Sequence, residues 1–254
     1  MTHGEVVPRA AATTIFVRQG AAKPEILLLK RGAQAHFMPN AYVFAGGAVD
    51  QSDESDELYA LCENLDERRA CERLHLDSAG LKHFVAAVRE AFEECGLLLA
   101  CDSSGEWVNL AAWEESELRD ARRRLSTGRT TLAALCKTHG WRLAVDELIF
   151  YSHWITPPGA PRRFDTRFFL CPVPARQSAS LASDEMSELV WITAGDALAQ
   201  HASGRLMLMF PTRTLLRELA RFDGIDAIFA FARQPRKITP YTPVLPPDFP
   251  RDGE

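Results

Sequence analysis

Two features are scarce in this sequence: long apolar runs and paired cysteines. No apolar stretch reaches the roughly 18 residues that a membrane-spanning helix needs, so we expect no membrane partner. The six cysteines are scattered without a C-x-x-C pair, which argues against a disulfide framework or a zinc site. The printed residues also show neither a signal-like N-terminus nor a peroxisomal C-terminal address, so we expect a cytoplasmic protein with reduced thiols.

Basic residues are also fewer than acidic residues. The chain has 29 Lys and Arg against 34 Asp and Glu, which gives a net charge of −5. Nonspecific binding to nucleic acid needs a basic face, so we expect no nucleic-acid partner. A hydrophobic fraction of 46% over 254 residues is typical of a globular protein that buries a sizeable core.

The most informative segment is an acidic run at residues 89–97. Glu90, Glu93 and Glu94 have i, i+3 and i+4 spacing, which places three carboxylates on one face of a helix. Like charges this close repel by a few tenths of a kcal/mol per pair, so a divalent cation is a natural counter-charge. A solvated acidic face explains the same pattern, because the opposite face is apolar: Leu81, Phe84, Val85, Val88, Phe92 and Cys95.

Three neighbouring features favour the metal-binding interpretation. Arg89 stands four residues before Glu93, where its guanidinium can brace a carboxylate. Gly96 is placed to end the helix in a left-handed cap. Upstream, a short strand leads into Gly46 and Gly47, where the backbone can approach a ligand closely.

These residues resemble the Nudix box, G-x5-E-x7-R-E-U-x-E-E-x-G-U, where U is a bulky aliphatic residue. Ala91 departs from the pattern at the first U position. The matching positions are Gly47, Arg89, Glu90, Glu93, Glu94, Gly96 and Leu97.

The box is split. Its glycine, Gly47, and its arginine, Arg89, are separated by the 41 residues 48–88, whereas the motif has 13 residues between them. The chain therefore carries an insertion of 28 residues. Counting forward from Gly47 puts the first acidic position of the box at Asp53, and counting back from Arg89 puts it at Leu81. Both assignments remain open at this level.

The split box is similar to the branch of the Nudix superfamily that includes coenzyme A diphosphatases. Segments 37–47 and 163–169 support the resemblance, which extends over about 12–222. It implies an α+β fold, a Nudix-type α/β/α sandwich with a mixed sheet, an extra helical insertion and C-terminal helices. We expect one domain over 1–235, and a proline-rich tail over 236–254 that lies extended on the surface.

Local patterns predict the elements of this domain. The insertion, about 53–80, is expected to form packing helices without chemistry, and two further amphipathic helices are expected within about 107–141. Strands are predicted at 13–17, 25–30, 147–155, 167–173 and 189–192, and the run 42–47 is predicted as a strand that leads into the glycine pair. Helices are predicted at 114–125, 130–139, 211–222 and 225–233.

The resemblance also implies a metal site. Mg²⁺ or Mn²⁺ would be held by Glu90, Glu93, Glu94 and the Gly47 carbonyl, with Arg89 orienting the ligands. A catalytic base is expected from a later loop, and Glu185 is the candidate there. Glu188 is the alternative, although it also suits a role in bracing the neighbouring strand.

Substrate contacts are expected on the opposite wall. Arg31, Arg163 and Gly46 are the predicted substrate-binding residues, because arginine pairs well with phosphate. For Arg162 a surface ion pair is the favoured interpretation, and Arg167 is a further candidate for the cluster. His153 is expected to be a satisfied core histidine, and Asp165, at a strand entrance, a turn or cap residue. Trp154, Phe164 and Phe168 are expected to be core residues that could instead wall an adenine or pantetheine.

The implied function is metal-dependent hydrolysis of a nucleoside diphosphate linked to another moiety. Coenzyme A or acyl-CoA is the leading substrate, and cleavage would give 3′,5′-ADP and (acyl-)phosphopantetheine. ADP-ribose, NADH and dinucleoside polyphosphates are alternatives. A Nudix-like ligand-sensing module without turnover is an alternative of another class. Exposed C-terminal helices would allow a homodimer.

Overall fold

A mixed eight-stranded sheet forms the centre of the molecule. A computed structural model describes residues 6–35, 38–181 and 185–244. The strands of the main sheet are β1 (Arg9–Gln19), β2 (Pro24–Arg31), β3 (Ala41–Val43), β4 (Ala45–Ala48), β7 (Ile149–Ile155), β8 (Phe164–Pro172), β9 (Met186–Thr193) and β10 (Met207–Leu208), while β5 (Ala100–Cys101) and β6 (Arg142–Leu143) form a separate small pair.

The central strand, β1, organises the sheet. The strand order is β10-β3-β2-β1-β8-β7, with β4 also paired to β1 and β9 also paired to β2. β1 runs parallel to β8 and antiparallel to β2 and β4. Ala11 to Val17 are buried without a break, as expected for a strand that is covered on both faces.

Helices cover both faces of this sheet. They are α1 (Asp56–Tyr59), α2 (Glu67–Leu74), α3 (Leu81–Cys95), α4 (Glu115–Ser126), α5 (Leu132–His139), α6 (Ala194–Ala202), α7 (Phe210–Leu219) and α8 (Ile225–Ala232). One buried cluster joins α3 and the helices around it to one face, and a second joins α6, α7 and α8 to the other. This three-layer arrangement confirms the predicted α/β/α sandwich.

Most predicted elements are present, with differences at their ends. The insertion forms short helices, namely a 3₁₀ turn at Gln51–Asp53 followed by α1 and α2. The predicted strand in the run 42–47 is two short strands, β3 and β4, separated at Phe44, and α6 was not predicted. Every helix in the described part of the chain is too short or too polar to traverse a bilayer.

The C-terminal segment runs along the edge of the sheet as far as it is described. The Tyr241 amide donates to the His153 carbonyl at 2.9 Å, and the Ile155 amide donates to the Tyr241 carbonyl at 2.9 Å. This agrees with an extended tail up to residue 244. The predictions that concern 37, 183–184 and 245–254 lie outside the described residues.

Candidate metal and substrate site

Helix α3 presents the acidic run. It extends from Leu81 to Cys95, and Gly96 ends it in a left-handed conformation with φ of 72°. Phe84, Val88 and Phe92 are fully buried in the core on the sheet side. With its apolar face anchored there, the carboxylates emerge beside β4.

Arg89 pairs with a carboxylate from the start of the insertion. Its Nε lies 2.7 Å from Asp53 Oδ1 and its Nη2 lies 2.9 Å from Asp53 Oδ2, which is a bidentate ion pair. Asp53 is 1% exposed, whereas Leu81 is an apolar residue buried at the start of α3. The structure therefore favours Asp53 as the first acidic residue of the split box.

Arg89 also holds two of the predicted metal ligands. Its Nη1 lies 2.9 Å from Glu90 Oε1 and 3.5 Å from Glu93 Oε2, and its Nη2 donates to the Ala48 carbonyl at 2.9 Å. One guanidinium thus joins α3, β4 and the insertion. This agrees with the predicted orienting role.

The glycine pair of β4 touches the remaining carboxylate face. The Gly46 amide donates to Glu94 Oε2 at 2.8 Å. A Cβ atom at Gly47 would lie 2.5 Å from Glu90 Oε1, and one at Gly46 would lie 2.5 Å from the Ala12 carbonyl oxygen. Both positions therefore need glycine for close approach, the first to a carboxylate and the second to the backbone of β1.

The carboxylates are crowded and poorly solvated. Burial raises the pKa of Glu93 to about 7, although Arg89 opposes the shift. Burial also raises the pKa of Glu90, and it raises that of Glu94 well above the ordinary value, with Glu90 and Glu185 adding to the Glu94 shift. The site therefore holds more negative charge than its protein surroundings balance.

These donors fit a divalent cation in chemistry. Oxygen ligands and uncompensated negative charge are what Mg²⁺ or Mn²⁺ requires. Within the described ranges, no three Asp, Glu, His or Cys side chains are already gathered as a metal-ligand group. Instead, Glu90 and Glu93 are turned onto Arg89, and Glu94 is turned onto the Gly46 amide.

Side chains from outside α3 cap both ends of the helix. At the N-terminus, Glu67 of α2 accepts from the Gly80 and Leu81 amides at 3.0 and 2.9 Å. At the C-terminus, the buried Arg122 of α4 donates to the Glu93 carbonyl at 3.0 Å. An anion at the N-terminus and a cation at the C-terminus both stabilise a helix dipole. The two segments thus hold the carboxylate helix in position.

Cavities lie on both sides of β4. A pocket of about 280 Å³ is lined by Arg89, Glu90 and Glu93, and by Ser126 and Gly128 at the end of α4. We call it the carboxylate pocket. A larger cavity of about 650 Å³ between α4 and α5 shares no lining residue with it, so size alone does not identify the site.

The second cavity beside β4 has the opposite charge. It measures about 370 Å³, and Gly46, Gly47 and Ala48 form part of its wall. Its lining includes three arginines and no acidic residue among those described, together with aromatic rings: Arg9, Arg31, Arg162, Phe44, Phe164 and Phe168. We call it the arginine cleft. Ala48 lines both cavities, so the two adjoin at the end of β4.

The predicted substrate-binding residues divide between cleft and core. Arg31 and Gly46 line the arginine cleft, and the charge of Arg31 opposes the upward shift in the Glu94 pKa. Arg163 is not among the residues that line the cleft. It is 7% exposed, and its guanidinium donates to the carbonyls of Thr156 and Val6, so it joins backbone segments while its neighbour Arg162 lines the cleft.

The two acidic candidates near β9 have different surroundings. The Glu185 backbone carbonyl accepts from the Gly32 amide at 2.8 Å, and its charge raises the pKa of Glu90 and Glu94. Glu188 instead accepts from the Tyr42 hydroxyl at 2.8 Å and lies 3.6 Å from Lys30 Nζ. These contacts agree with a bracing role for Glu188.

A buried polar cluster lies under the first turn of α3. His153 hydrogen-bonds to Asp165, and Arg167 lies 3.2 Å from the same carboxylate. His153 is therefore a satisfied core histidine, as predicted. Asp165 lies at the entrance of β8, as predicted, but it is a strand residue rather than a turn or cap residue, because it pairs with Ala10 of β1 and Ile155 of β7. Burial lowers the pKa of the adjacent His83 to about 3.

Three residues of the site were not predicted: Arg9, Glu67 and Arg122. Glu67 follows Asp66, whose side chain accepts from the Arg69 amide, so a helix-start pattern is visible locally but its partner in α3 is not. Arg122 is 29 residues from Glu93, and no spacing rule links them. Arg9 faces the cleft together with Ala11 and Thr13, because alternate residues of β1 point to the same face of the sheet.

Comparisons with known proteins agree with this geometry. A family model described as NUDT19 Nudix domain matches residues 6–79 and 79–221. The acyl-coenzyme A diphosphatase NUDT19 of Xenopus laevis is 26% identical over 237 residues, which cover 82% of this chain and 62% of the relative. The human protein of the same name is 28% identical over 249 residues, which cover 81% of this chain and 63% of the relative. The chain thus spans less than two thirds of the length of these relatives.

A solved structure is similar over most of the chain. The crystal structure of a NUDIX hydrolase from Alicyclobacillus acidocaldarius superposes with a TM-score of 0.73 and is 28% identical. The superposition covers 89% of this chain and 96% of that protein.

Proposed function

The chain belongs to the Nudix hydrolases, in the family described as NUDT19 Nudix domain, and from this premise we propose that it is a metal-dependent pyrophosphohydrolase of coenzyme A or acyl-CoA. Cleavage of the diphosphate by water would give 3′,5′-ADP and (acyl-)phosphopantetheine. The relatives named acyl-coenzyme A diphosphatase support the substrate class.

One observation carries this proposal: the carboxylate face of α3 lies against the glycine pair that also walls an arginine-lined cleft. Gly46 donates to Glu94, and Gly47 leaves room for Glu90. A negatively charged site that suits cations therefore adjoins a positively charged site that suits anions. A substrate with a central diphosphate and a nucleotide arm matches this alternation of charge.

Each polar residue has a proposed role. Glu90, Glu93, Glu94 and the Gly47 carbonyl would hold Mg²⁺ or Mn²⁺, which would neutralise the diphosphate and activate a water molecule. Arg89 orients Glu90 and Glu93 through its hydrogen bonds. Arg31 would contact the diphosphate, and its position in the cleft lining and its charge effect on Glu94 support this role.

Glu185 is the proposed general base. Its effect on the pKa of Glu90 and Glu94 supports a carboxylate within electrostatic reach of the proposed ligands. It would accept the proton of the attacking water. Glu185→Gln should therefore lower kcat by at least about a hundredfold, with little change in the affinity for Mn²⁺. Equal losses in kcat and in Mn²⁺ affinity would assign Glu185 to the ligand set instead.

A substrate panel tests the proposed reaction. Purified protein with Mg²⁺ or Mn²⁺ would be incubated with CoA, an acyl-CoA, ADP-ribose, NADH and diadenosine tetraphosphate, and the products separated by chromatography. We expect 3′,5′-ADP from CoA at the highest kcat/KM. Faster turnover of another substrate would reassign the specificity. Binding without turnover of any substrate would favour the sensing module.

Glu94→Gln tests the proposed metal site. The amide keeps the side-chain volume but removes a charge, so turnover should fall by at least about a hundredfold while the far-ultraviolet spectrum stays unchanged. Glu72→Gln, at an exposed ion pair on α2, is the matched control and should keep wild-type turnover. Retained activity in Glu94→Gln would overturn the ligand assignment.

A reducing cytoplasm is the proposed cellular setting. Six free cysteines agree with a reducing compartment such as the cytoplasm. The net charge of −5 disfavours nucleic acid as a partner, and duplex DNA should cause no mobility shift at moderate salt. Light scattering would test the proposed homodimer.

A further inference from the structure

We propose that Arg9 and Arg162 form a subsite for a phosphate monoester of the substrate, distinct from the diphosphate; this inference rests on the proposed function. Both residues line the arginine cleft. The subsite would explain how the enzyme distinguishes a phosphorylated nucleotide arm from an unphosphorylated one.

The two arginines come from adjacent chain segments. Arg9 begins β1, and its amide donates to the Arg163 carbonyl at 2.9 Å, next to Arg162. In the parallel pairing of β1 with β8, Arg9 is the register partner of Phe164, two residues after Arg162. The sheet therefore brings both guanidiniums to the same end of the cleft.

Neither guanidinium is in contact with a carboxylate among the described residues, although Arg9 is close enough to Asp50 to help lower the pKa of that carboxyl. No hydrogen bond or salt bridge joins the Arg9 or Arg162 side chain to a described group, although most arginines near the site are paired, as Arg89 is with Asp53. Both residues are exposed at the mouth of the cleft. They can therefore receive an external anion without breaking an existing contact.

Charge balance indicates that this anion is not the diphosphate. The diphosphate would lie at the carboxylates, where divalent ions and Arg31 offset its charge. Arg9 and Arg162 then add two positive charges to a cleft wall that has no acidic residue among those described. A dianionic phosphate monoester matches them in charge and in hydrogen-bonding geometry.

The cleft also offers an apolar wall beside these cations. Phe44 and Phe168 pack edge to face with their ring centroids 6.4 Å apart, and Phe164 lies on the same strand face as Phe168. A purine base against these rings would place its ribose phosphate toward Arg9 and Arg162. The 3′-phosphate of coenzyme A is such a group, whereas dephospho-CoA, ADP-ribose and NADH have none.

Product binding tests the subsite independently of turnover. Isothermal titration calorimetry would compare 3′,5′-ADP with AMP, in the presence of Mg²⁺, for the wild-type protein and for Arg9→Gln/Arg162→Gln. The wild type should bind 3′,5′-ADP about tenfold more tightly or better, as expected for charge-assisted contacts. The double variant should bind both nucleotides within about threefold of each other, whereas Arg69→Gln, on the exposed surface of α2, should keep the wild-type ratio.

The outcomes separate the two proposals. Equal binding of AMP and 3′,5′-ADP by the wild type, or a preference that survives in the double variant, would overturn the subsite. CoA hydrolysis without a nucleotide preference would leave the proposed function standing and remove the subsite. The expected preference without CoA hydrolysis would support the subsite and refute the proposed reaction.

Discussion

Replacing Asp53 by asparagine tests whether the insertion supplies the first acidic residue of the split box. Asp53 accepts two hydrogen bonds from Arg89, at 2.7 and 2.9 Å, and one from the Asp50 amide at 2.7 Å. The asparagine variant keeps the side-chain volume, so no cavity forms, but it removes the negative charge of a buried ion pair. The change should therefore isolate the electrostatic contribution.

The expected loss follows from the contacts that remain. Removing one partner of a buried ion pair costs about 3–5 kcal/mol. Arg89 keeps Glu90, Glu93 and the Ala48 carbonyl, so we expect the lower end, about 3 kcal/mol. For a chain of this length, the melting temperature should fall by roughly 6–12 °C. The affinity for Mn²⁺ should fall by about tenfold or more, because Arg89 orients the ligands.

Denaturant unfolding and Mn²⁺ titration would measure both effects. Leu81→Ala should destabilise the fold by about 2–5 kcal/mol through a core cavity but leave Mn²⁺ affinity near the wild-type value. Glu54→Gln, at a surface ion pair with Lys82, should cost less than about 1 kcal/mol. An Asp53→Asn protein with wild-type stability and Mn²⁺ affinity would refute the assignment.

Three further predictions address the helix and its glycines. Because the pKa of Glu93 is raised in the folded state, the metal-free protein should lose stability as pH rises from about 4.5 to about 7. The rise in melting temperature that Mn²⁺ causes should therefore be larger at pH 8 than at pH 6. Equal rises at the two pH values would contradict this prediction. Gly47→Ala should mainly lower activity, because the new Cβ displaces Glu90, whereas Gly46→Ala should mainly lower the melting temperature, because its Cβ displaces the backbone of β1. Equal changes in activity and in melting temperature for the two variants would refute the distinction. Glu67→Ala should cost about 1–2 kcal/mol in unfolding free energy by removing the cap of α3, and an unchanged denaturation midpoint would disprove that capping contribution.

Local sequence patterns predicted the parts of the fold that depend on local physics. Helix α3 was predictable because its apolar residues recur at helical spacing and Gly96 follows its last turn. The missed helix α6 has few large apolar residues. Its signal is Thr193, whose hydroxyl accepts from the Asp196 amide at 3.1 Å, a capping pattern visible as T-x-x-D.

Contacts between distant segments were not predictable from spacing. The insertion breaks the residue count between Gly47 and Arg89, so only the folded chain distinguishes Asp53 from Leu81. Spacing also did not show that Arg162 rather than Arg163 lines the cleft, because neighbouring residues point in opposite directions at the start of a strand.

The Asp53–Arg89 pair also has a consequence for how this chain can vary. The pair joins the start of the insertion to α3, and Glu67 joins α2, the second helix of the insertion, to the N-terminus of α3. Loop-closure entropy grows only with the logarithm of length, by about 0.6 kcal/mol per doubling. The segment between these two contacts can therefore be longer or differ in sequence at a small cost in folding free energy, provided that Asp53 and Glu67 are retained. Natural variation in this family should accordingly concentrate between residues 54 and 66.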